Sequence, residues 1–283
     1  VPTILPPSIP PLLLYIFTFA IGTIVGSFLN VCIYRVPRKQ SIVYPPSHCP
    51  VFNCSIEFYD NIPIVSYLVL KGHCRKCGSP FSPRYPVIEA LTGFIFLATV
   101  LKFGFTANAL IYLLLFSLLI VVTFIDIEHF IIPNVITYPA ILLGLIISAV
   151  RTDWGAVGSL YHQFGLGFFD IIALSGLIPA LNSLLGVVIG GGVLLLIGTI
   201  YSLIRKEDGM GMGDVKLLAL IGAFLGAGSI LFIVLVSSIL GSIIGIYIIY
   251  HNREGMKFAL PFGPFLSLAA VLYCFTGGLN LLH

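Results

Sequence analysis

Two aspartates stand where a carboxylate is costly. Asp126 closes an apolar run in Phe124-Ile125-Asp126-Ile127-Glu128-His129, shortly before Ile132-Pro133-Asn134. Asp214 follows Gly211-Met212-Gly213 and opens another apolar run. A carboxylate at a membrane boundary costs free energy unless it is hydrated, capped or used. Each acid alone reads equally well as the N-cap of the apolar helix that follows it. Taken together they offer chemistry. Two nearby carboxylates do not readily both ionise, so one keeps a proton. The ionised acid can activate water as a general base while the protonated one polarises a peptide carbonyl. The glycines around Asp214 would let a chain approach it closely. Glu128, Glu207 and Asp208 read as solvated boundary charges.

Cysteine supplies the second constellation. Cys49 and Cys54 form a C-x4-C, and Cys74 and Cys77 a C-x-x-C about twenty residues later. Two such pairs suit a four-thiolate structural zinc site. His48 and His73 sit beside the pairs as substitute ligands; the plainer alternative is free cysteines in a loop. Cys32 and Cys274 lie in apolar runs and read as packing residues. No other arrangement competes. The histidines are scattered, there is no Walker loop, and no G-x-G-x-x-G opens a helix after a strand. Gly190-Gly191-Gly192 lies inside an apolar run and reads as helix packing.

The elements that must position these groups are membrane helices. Charged residues make up 9 % of the chain, hydrophobic residues 58 %, and the mean hydropathy is +1.09. A soluble domain would carry roughly a quarter charged residues. The expected fold is therefore an α-helical polytopic membrane protein. Runs of spanning length, about 20 residues, fall at roughly 11–34, 86–101, 108–125, 132–150, 183–204, 215–228, 229–250 and 258–279, giving about eight spans. The sixth is short and Gly226-Ala227-Gly228-Ser229 separates it only weakly from the seventh. Residues 155–182 read as a loop with a re-entrant or surface-lying helix. No basic residue precedes the first run, which argues against a secretory signal peptide.

Lysine and arginine set the orientation. With the N-terminus outside, the inner segments hold Arg35, Arg38, Lys39, Lys71, Arg75, Lys76, Arg84, Arg205, Lys206, Lys216, Arg253 and Lys257, and the outer ones only Lys102 and Arg151. Asp126 and Asp214 then share the cytoplasmic face, where disulfides are disfavoured. The expected organisation is a first transmembrane helix over 1–34, a cytoplasmic cysteine-rich zinc domain over 35–85, and a multi-helix membrane domain over 86–283 carrying the acids. The middle segment is rich in Pro, Cys, Arg and Tyr, a composition that needs stabilising by something other than a core.

The motifs, in order, resemble those of the type IV prepilin leader peptidases, membrane aspartic proteases of the GxGD type. Gly26-Ser27-Phe28-Leu29-Asn30-Val31 and Tyr34-Arg35-Val36-Pro37 look like the family's first-span signature. Ser47-His48-Cys49-Pro50, Asp60-Asn61-Ile62-Pro63, Ser66-Tyr67-Leu68, Cys74-Arg75-Lys76-Cys77 and Arg84-Tyr85-Pro86 through Glu89 look like its cytoplasmic domain. Asp126 with Ile132-Pro133-Asn134 resembles the first catalytic block, Gly209 to Leu217 the second, and Pro261-Phe262-Gly263-Pro264-Phe265 the C-terminal motif. By that resemblance Asp126 and Asp214 are the catalytic aspartates. The implied substrate is a prepilin or pseudopilin precursor with a short basic leader, cut on the cytoplasmic side of its apolar helix. The enzyme would sit in the bacterial inner membrane, with lipids and precursors as its partners and no nucleic acid. Many members also N-methylate the new N-terminus with S-adenosylmethionine, an activity tied to the cysteine-bearing loop, so the resemblance implies a bifunctional enzyme.

The pattern departs from the family in one place. Counting back from Asp60-Asn61, the family's C-P-x-C would put its second cysteine at position 52, which here is Phe52; the available residue is Cys54. The knuckle is then rewired, or zinc has three thiolates plus His48 or His73, or the metal is lost. Asn134 also stands where the family often has Asp. Gly26, Asn30, Arg35, Glu89 and Lys216 are expected to line the active site or a methyl-donor pocket; the alternative has Asn30 and Glu89 bonding between helices and Arg35 enforcing orientation. Two other functions compete: a transporter with an acidic relay, which would place charges deep within spans, and a non-catalytic, zinc-bearing membrane adaptor.

Overall fold

A computed structural model describes residues 10–49, 51–52, 55–150, 168–205, 211–252 and 260–277. Its α-helices are α1 (Pro11–Arg35), α2 (Val65–Val69), α3 (Arg84–Phe103), α4 (Ala107–His129), α5 (Asn134–Val150), α6 (Phe168–Arg205), α7 (Met212–Leu225), α8 (Gly228–Asn252) and α9 (Gly263–Thr276), with a 3-10 turn at Phe58–Asn61. Among the described residues there is no strand, only the isolated bridges His48 to Ser55 and His73 to Pro80. The chain divides into two compact units between Ile125 and Asp126, within α4.

Each of the eight apolar runs is helical over most of its described residues. Among the described residues five helices are long and apolar enough to cross a membrane: Leu12–Arg35, Arg84–Phe103, Ala107–His129, Pro179–Ile204 and Gly228–Ile248. The chain is thus a polytopic helical membrane protein. α5, α7 and α9 have 17, 14 and 14 residues, or about 21–26 Å at 1.5 Å per residue, short of the ~30 Å hydrocarbon thickness. The expected loop over 155–182 is already helical from Phe168, where α6 begins; residues 155–167 lie outside the described part.

In the first unit α1 packs along α3. Glycine makes this approach possible. A Cβ on Gly22 would meet the Cα of Gly93 at 2.8 Å, and one on Gly26 would meet the Cα of Glu89 at 2.8 Å. Gly104, at φ +64°, ends α3. The Thr106 hydroxyl then accepts the Ala109 amide at 3.2 Å and caps α4.

The second unit is built around α7, whose residues Val215 and Leu217 through Ala223 are buried against α5, α6, α8 and α9. α6 meets it with one face, Ser183, Gly186, Gly190 and Leu194, at helical spacing. Small residues let the two backbones nearly touch: a Cβ on Gly190 would lie 2.7 Å from the Leu218 carbonyl oxygen. Packing therefore explains Gly190; Gly191 makes ordinary contact with Ala219, and Gly192 faces open space. The break between α7 and α8 is well defined. Gly226 adopts φ +79°, and the Asn182 side chain accepts the Ala227 amide at 3.1 Å.

Candidate active site and metal centre

Asp126 lies in the last turn of α4 and is buried. Its carboxylate does not cap α5. Instead Oδ2 accepts the backbone amide of Gly263, the first residue of α9, at 3.0 Å. Only glycine permits this approach, because a Cβ at position 263 would stand 2.7 Å from Oδ2. Helix N-termini leave amides unpaired and carry partial positive charge, so α9 presents a donor to an acid that the chain buries.

Asp214 lies in the first turn of α7. Gly211 holds the N-cap position and no side chain caps the helix, so Asp214 is not the cap. It favours the helix through the macrodipole instead. Its half-buried carboxyl lies close enough to feel the charge of Asp126. Ile132 packs beside the glycines next to each acid. A Cβ on Gly213 would meet the Ile132 Cβ at 3.0 Å, and one on Gly263 would meet the Ile132 Cδ1 at 3.4 Å. One side chain thus packs beside both acid-bearing corners. The glycines around Asp214 divide accordingly: Gly213 is needed for packing, whereas Gly211 has room, with Asp214 Oδ2 at 3.7 Å as its nearest neighbour. Lys216 donates to Asn134 Oδ1 at 2.8 Å and lies over the Tyr138 ring, tying α7 to α5.

In the first unit three thiols converge. The Sγ atoms of Cys49, Cys74 and Cys77 lie within 4.8 Å of one another, with Cys49 to Cys77 at 3.5 Å. Tetrahedral zinc with Zn–S bonds of about 2.3 Å sets its sulfurs about 3.8 Å apart, so the cluster could hold a metal. Ser79 Oγ lies 3.1 Å from Cys49 Sγ and 3.0 Å from Cys77 Sγ. Burial pushes the Cys49 thiol up, but hydrogen bonds from Ser79, the Phe52 and Val51 amides and Cys77 outweigh it and leave the thiol lowered to about 6. The second knuckle is a tight turn: Gly78, at φ +70°, donates to the Cys74 carbonyl, and the Cys74 amide to the Ser79 carbonyl, both at 2.8 Å. His48 and His73 are not in the cluster; their Nδ1 atoms engage the carbonyls of Pro46 and Lys71. Cys54 lies outside the described residues.

The two knuckles share one register. Each is an eight-residue stretch closed by a bridge, His48 to Ser55 and His73 to Pro80. Cys49 corresponds to Cys74, Phe52 to Cys77, and Cys54 to Ser79. Phe52 is 68 % exposed, so it does not substitute for the missing thiol within the cluster.

Of the five additional candidates, four gather in the first unit. Gly26 packs on Glu89; Asn30 donates to the Tyr85 carbonyl at 3.1 Å; Glu89 accepts the Ile64 amide at 2.7 Å. Arg35 is buried and donates to the carbonyls of Ser41 and Pro45, so it organises the loop beyond α1 as well as carrying charge. Lys216 belongs to the second unit. Sequence reasoning missed Ile132 as the side chain packed beside both glycines, Ser79 as a neighbour of the thiols and the role of the Gly263 amide. A signal existed for two of them: Gly263-Pro264 before an apolar run marks a helix start, and Ser79 stands six residues after His73 as Cys54 stands six after His48.

Known proteins resemble both parts of the chain. The model of the bacterial peptidase A24 N-terminal domain matches residues 20–103, and that of the type IV leader peptidase family matches residues 113–246. A Myxococcus xanthus protein named prepilin leader peptidase/N-methyltransferase is 36 % identical over 234 residues, covering 83 % of this chain and 63 % of the relative. Proteins of the same name from Xanthomonas campestris and Neisseria gonorrhoeae are 31 % and 34 % identical, covering 91 % and 88 % of this chain and 89 % and 86 % of their own. The chain thus spans less than two thirds of the Myxococcus protein and most of the other two. No solved structure matches. With matches in the same order along both parts of the chain, this protein belongs to the type IV leader peptidase family.

Proposed function

We propose that this protein is a membrane aspartic endopeptidase that removes the short basic leader of type IV prepilin-like precursors and then N-methylates the new N-terminus with S-adenosylmethionine. It sits in the bacterial inner membrane with about eight spans and its N-terminus outside, and it cuts at the cytoplasmic face. The observation that supports this most is the convergence on Ile132 of Gly213, beside Asp214, and Gly263, whose amide holds Asp126, with Asp214 within reach of the Asp126 charge.

The pair carries one proton between its two carboxyls. The ionised member takes a proton from water as the oxygen attacks the scissile carbonyl carbon. The protonated member donates to the carbonyl oxygen. Collapse of the tetrahedral intermediate breaks the C–N bond, and the amine leaves with a proton from the pair. The Gly263 amide fixes the orientation of Asp126 throughout.

Residues 35–85 form the cytoplasmic zinc domain and 86–283 the membrane domain carrying the acids. Zinc is held by Cys49, Cys54, Cys74 and Cys77. Ser79, in the register position of Cys54, lies beside both Cys49 and Cys77, which supports Cys54 as the fourth ligand. The metal is structural: it ties together two knuckles that have little core of their own.

The test is reconstitution in liposomes with a precursor carrying a basic leader, followed by mass spectrometry of the product. The reading predicts cut product without S-adenosylmethionine, and cut and methylated product with it. Intact precursor under both conditions contradicts the peptidase; cut but unmethylated product with the donor present contradicts the methyltransferase.

A further inference from the structure

Hydrogen bonds tie the segment between α1 and α3 to these two helices at fixed depths. α3 has 20 residues, or about 30 Å at 1.5 Å per residue, which matches the hydrocarbon thickness. Glu89, in the second turn of α3, then lies about 7 Å inside the boundary. Its carboxylate accepts the Ile64 amide at 2.7 Å. Ile64 immediately precedes α2, so α2 starts at the membrane boundary rather than out in the water. At the end of α1, Asn30 donates to the Tyr85 carbonyl at 3.1 Å and levels the two helices. Arg35 stands a turn and a half further out, about 7 Å beyond that level, within the headgroup layer. Its guanidinium donates to the carbonyls of Ser41 at 2.9 Å and Pro45 at 2.7 Å, which folds residues 41–45 back to the same depth.

Both tethered pieces carry exposed apolar side chains. In α2, Val65, Leu68 and Val69 are 53 %, 67 % and 68 % exposed, at the i, i+3, i+4 spacing of one helix face, and no residue of α2 is buried. In the loop beyond α1, Val43 and Tyr44 are 84 % and 75 % exposed. Large apolar side chains gathered on an otherwise polar segment mark an interaction site. The charges say with what. The acids of residues 35–85 are Glu57 and Asp60, and each is already paired, with Lys76 and Arg75 respectively, at 2.8 Å. Arg38, Lys39 and Lys71 are exposed and pair with no acid among the described residues. Lys39 stands just before the apolar loop and Lys71 just after α2. The unpaired charge of the segment is therefore positive and flanks both apolar pieces.

We infer that the cysteine-bearing segment docks on the cytoplasmic leaflet of the membrane instead of standing free in the cytoplasm. Val65, Leu68 and Val69 of α2, with Val43 and Tyr44 of the loop, enter the layer between headgroups and acyl chains, and Arg38, Lys39 and Lys71 meet anionic headgroups. An interfacial helix buries its apolar face about 5–10 Å into that boundary, the depth at which Glu89 holds the start of α2. Tyrosine suits the same layer, because its ring is apolar and its hydroxyl stays wet. Basic side chains beside such a face add attraction to the negative surface of the cytoplasmic leaflet. The lipid surface thus covers apolar side chains for which a segment this small has no core. The inference rests on the membrane orientation proposed above.

The experiment is tryptophan fluorescence of the full-length protein in liposomes of phosphatidylcholine and phosphatidylglycerol. Trp154, the one tryptophan of the chain, is replaced by Phe, and Leu68→Trp or Val43→Trp supplies the probe; should one variant fail to fold, the other decides. Phosphatidylcholine brominated high on its acyl chains is expected to quench most of the emission from either probe. Acrylamide on both sides of the membrane is expected to quench at least about fivefold less than it quenches free tryptophan, as for a side chain at interfacial depth. Adding Arg38→Gln, Lys39→Gln and Lys71→Gln to Leu68→Trp is expected to weaken bromolipid quenching and remove its dependence on phosphatidylglycerol; unchanged quenching overturns the headgroup contacts. Full acrylamide quenching with none from bromolipid overturns the docking while leaving the orientation intact, and the apolar face then belongs to a protein partner. The orientation is tested separately, by a membrane-impermeant amine reagent on spheroplasts and on inverted vesicles. Labelling of residues 35–85 in inverted vesicles alone supports it, and labelling in spheroplasts alone overturns it together with the leaflet assigned here.

Discussion

Gly263→Ala is the sharpest perturbation of the proposed mechanism, because it touches Asp126 without altering either acid. The added methyl would lie 2.7 Å from Asp126 Oδ2 and 3.4 Å from the Ile132 Cδ1. Ordinary carbon–oxygen contact needs several tenths of an ångström more, so the carboxylate must swing away from the α9 amide. The 3.0 Å hydrogen bond is then lost. A hydrogen bond to a charged group contributes about 1.5–3 kcal/mol. If that orientation is needed in the transition state, the loss converts to about 12- to 160-fold in rate. Single-turnover leader cleavage in liposomes, followed by the mobility shift of the precursor, measures it. The expected result is a protein that folds, inserts and binds precursor but cuts it within that range more slowly. Cleavage within twofold of wild type would show that the amide does not position the acid, and the role given to the C-terminal motif would fall.

Three further outcomes follow from the same geometry. Gly213→Val collides with Ile132 and is expected to lose most cleavage, and Ile132→Ala in the same chain to restore part of it; strict additivity in that double-mutant cycle would deny the contact. A shared proton makes the pair inactive when both acids are protonated, for want of a base, and when both are ionised, for want of an acid. The pH profile of kcat/KM should therefore be bell-shaped, and a plateau on either side would contradict a two-carboxylate mechanism. One zinc per chain is expected by elemental analysis, lost together with thermal stability in Cys74→Ser; full stability in a metal-free protein would remove the structural role.

Much of the helical frame was legible because apolar runs of spanning length have few alternatives in a chain this hydrophobic. What hydropathy could not resolve was which runs cross. α5, α7 and α9 are apolar yet short, and α7 is buried by helices on several sides, so its hydrophobicity reflects packing as much as lipid. The two acids were found because a carboxylate beside a membrane segment demands a reason. The capping alternative was equally available, and it fell to details that spacing cannot show: the N-cap of α7 is Gly211, and Asp126 turns toward α9. Contacts made by backbone are the hardest to read. The Gly263 amide reaches Asp126 across 137 positions of chain, and no side-chain pattern marks it. The cysteine pairs were plain in type, but the register that aligns Cys54 with Ser79 needed the two bridges. Asn30 and Glu89 stood out as polar residues in apolar runs; that they bind the Tyr85 carbonyl and the Ile64 amide depended on the neighbours that folding gave them.

The central claim is that Asp126 and Asp214 act as one catalytic pair. Its most direct test is leader cleavage by Asp126→Asn and Asp214→Asn, each reconstituted in liposomes and checked for wild-type helicity and precursor binding. The account predicts that either substitution alone reduces cleavage at least about a thousandfold and that the double substitution costs little more, since the pair works as a unit. Substantial cleavage in either single variant, or independent losses that multiply in the double one, would contradict it.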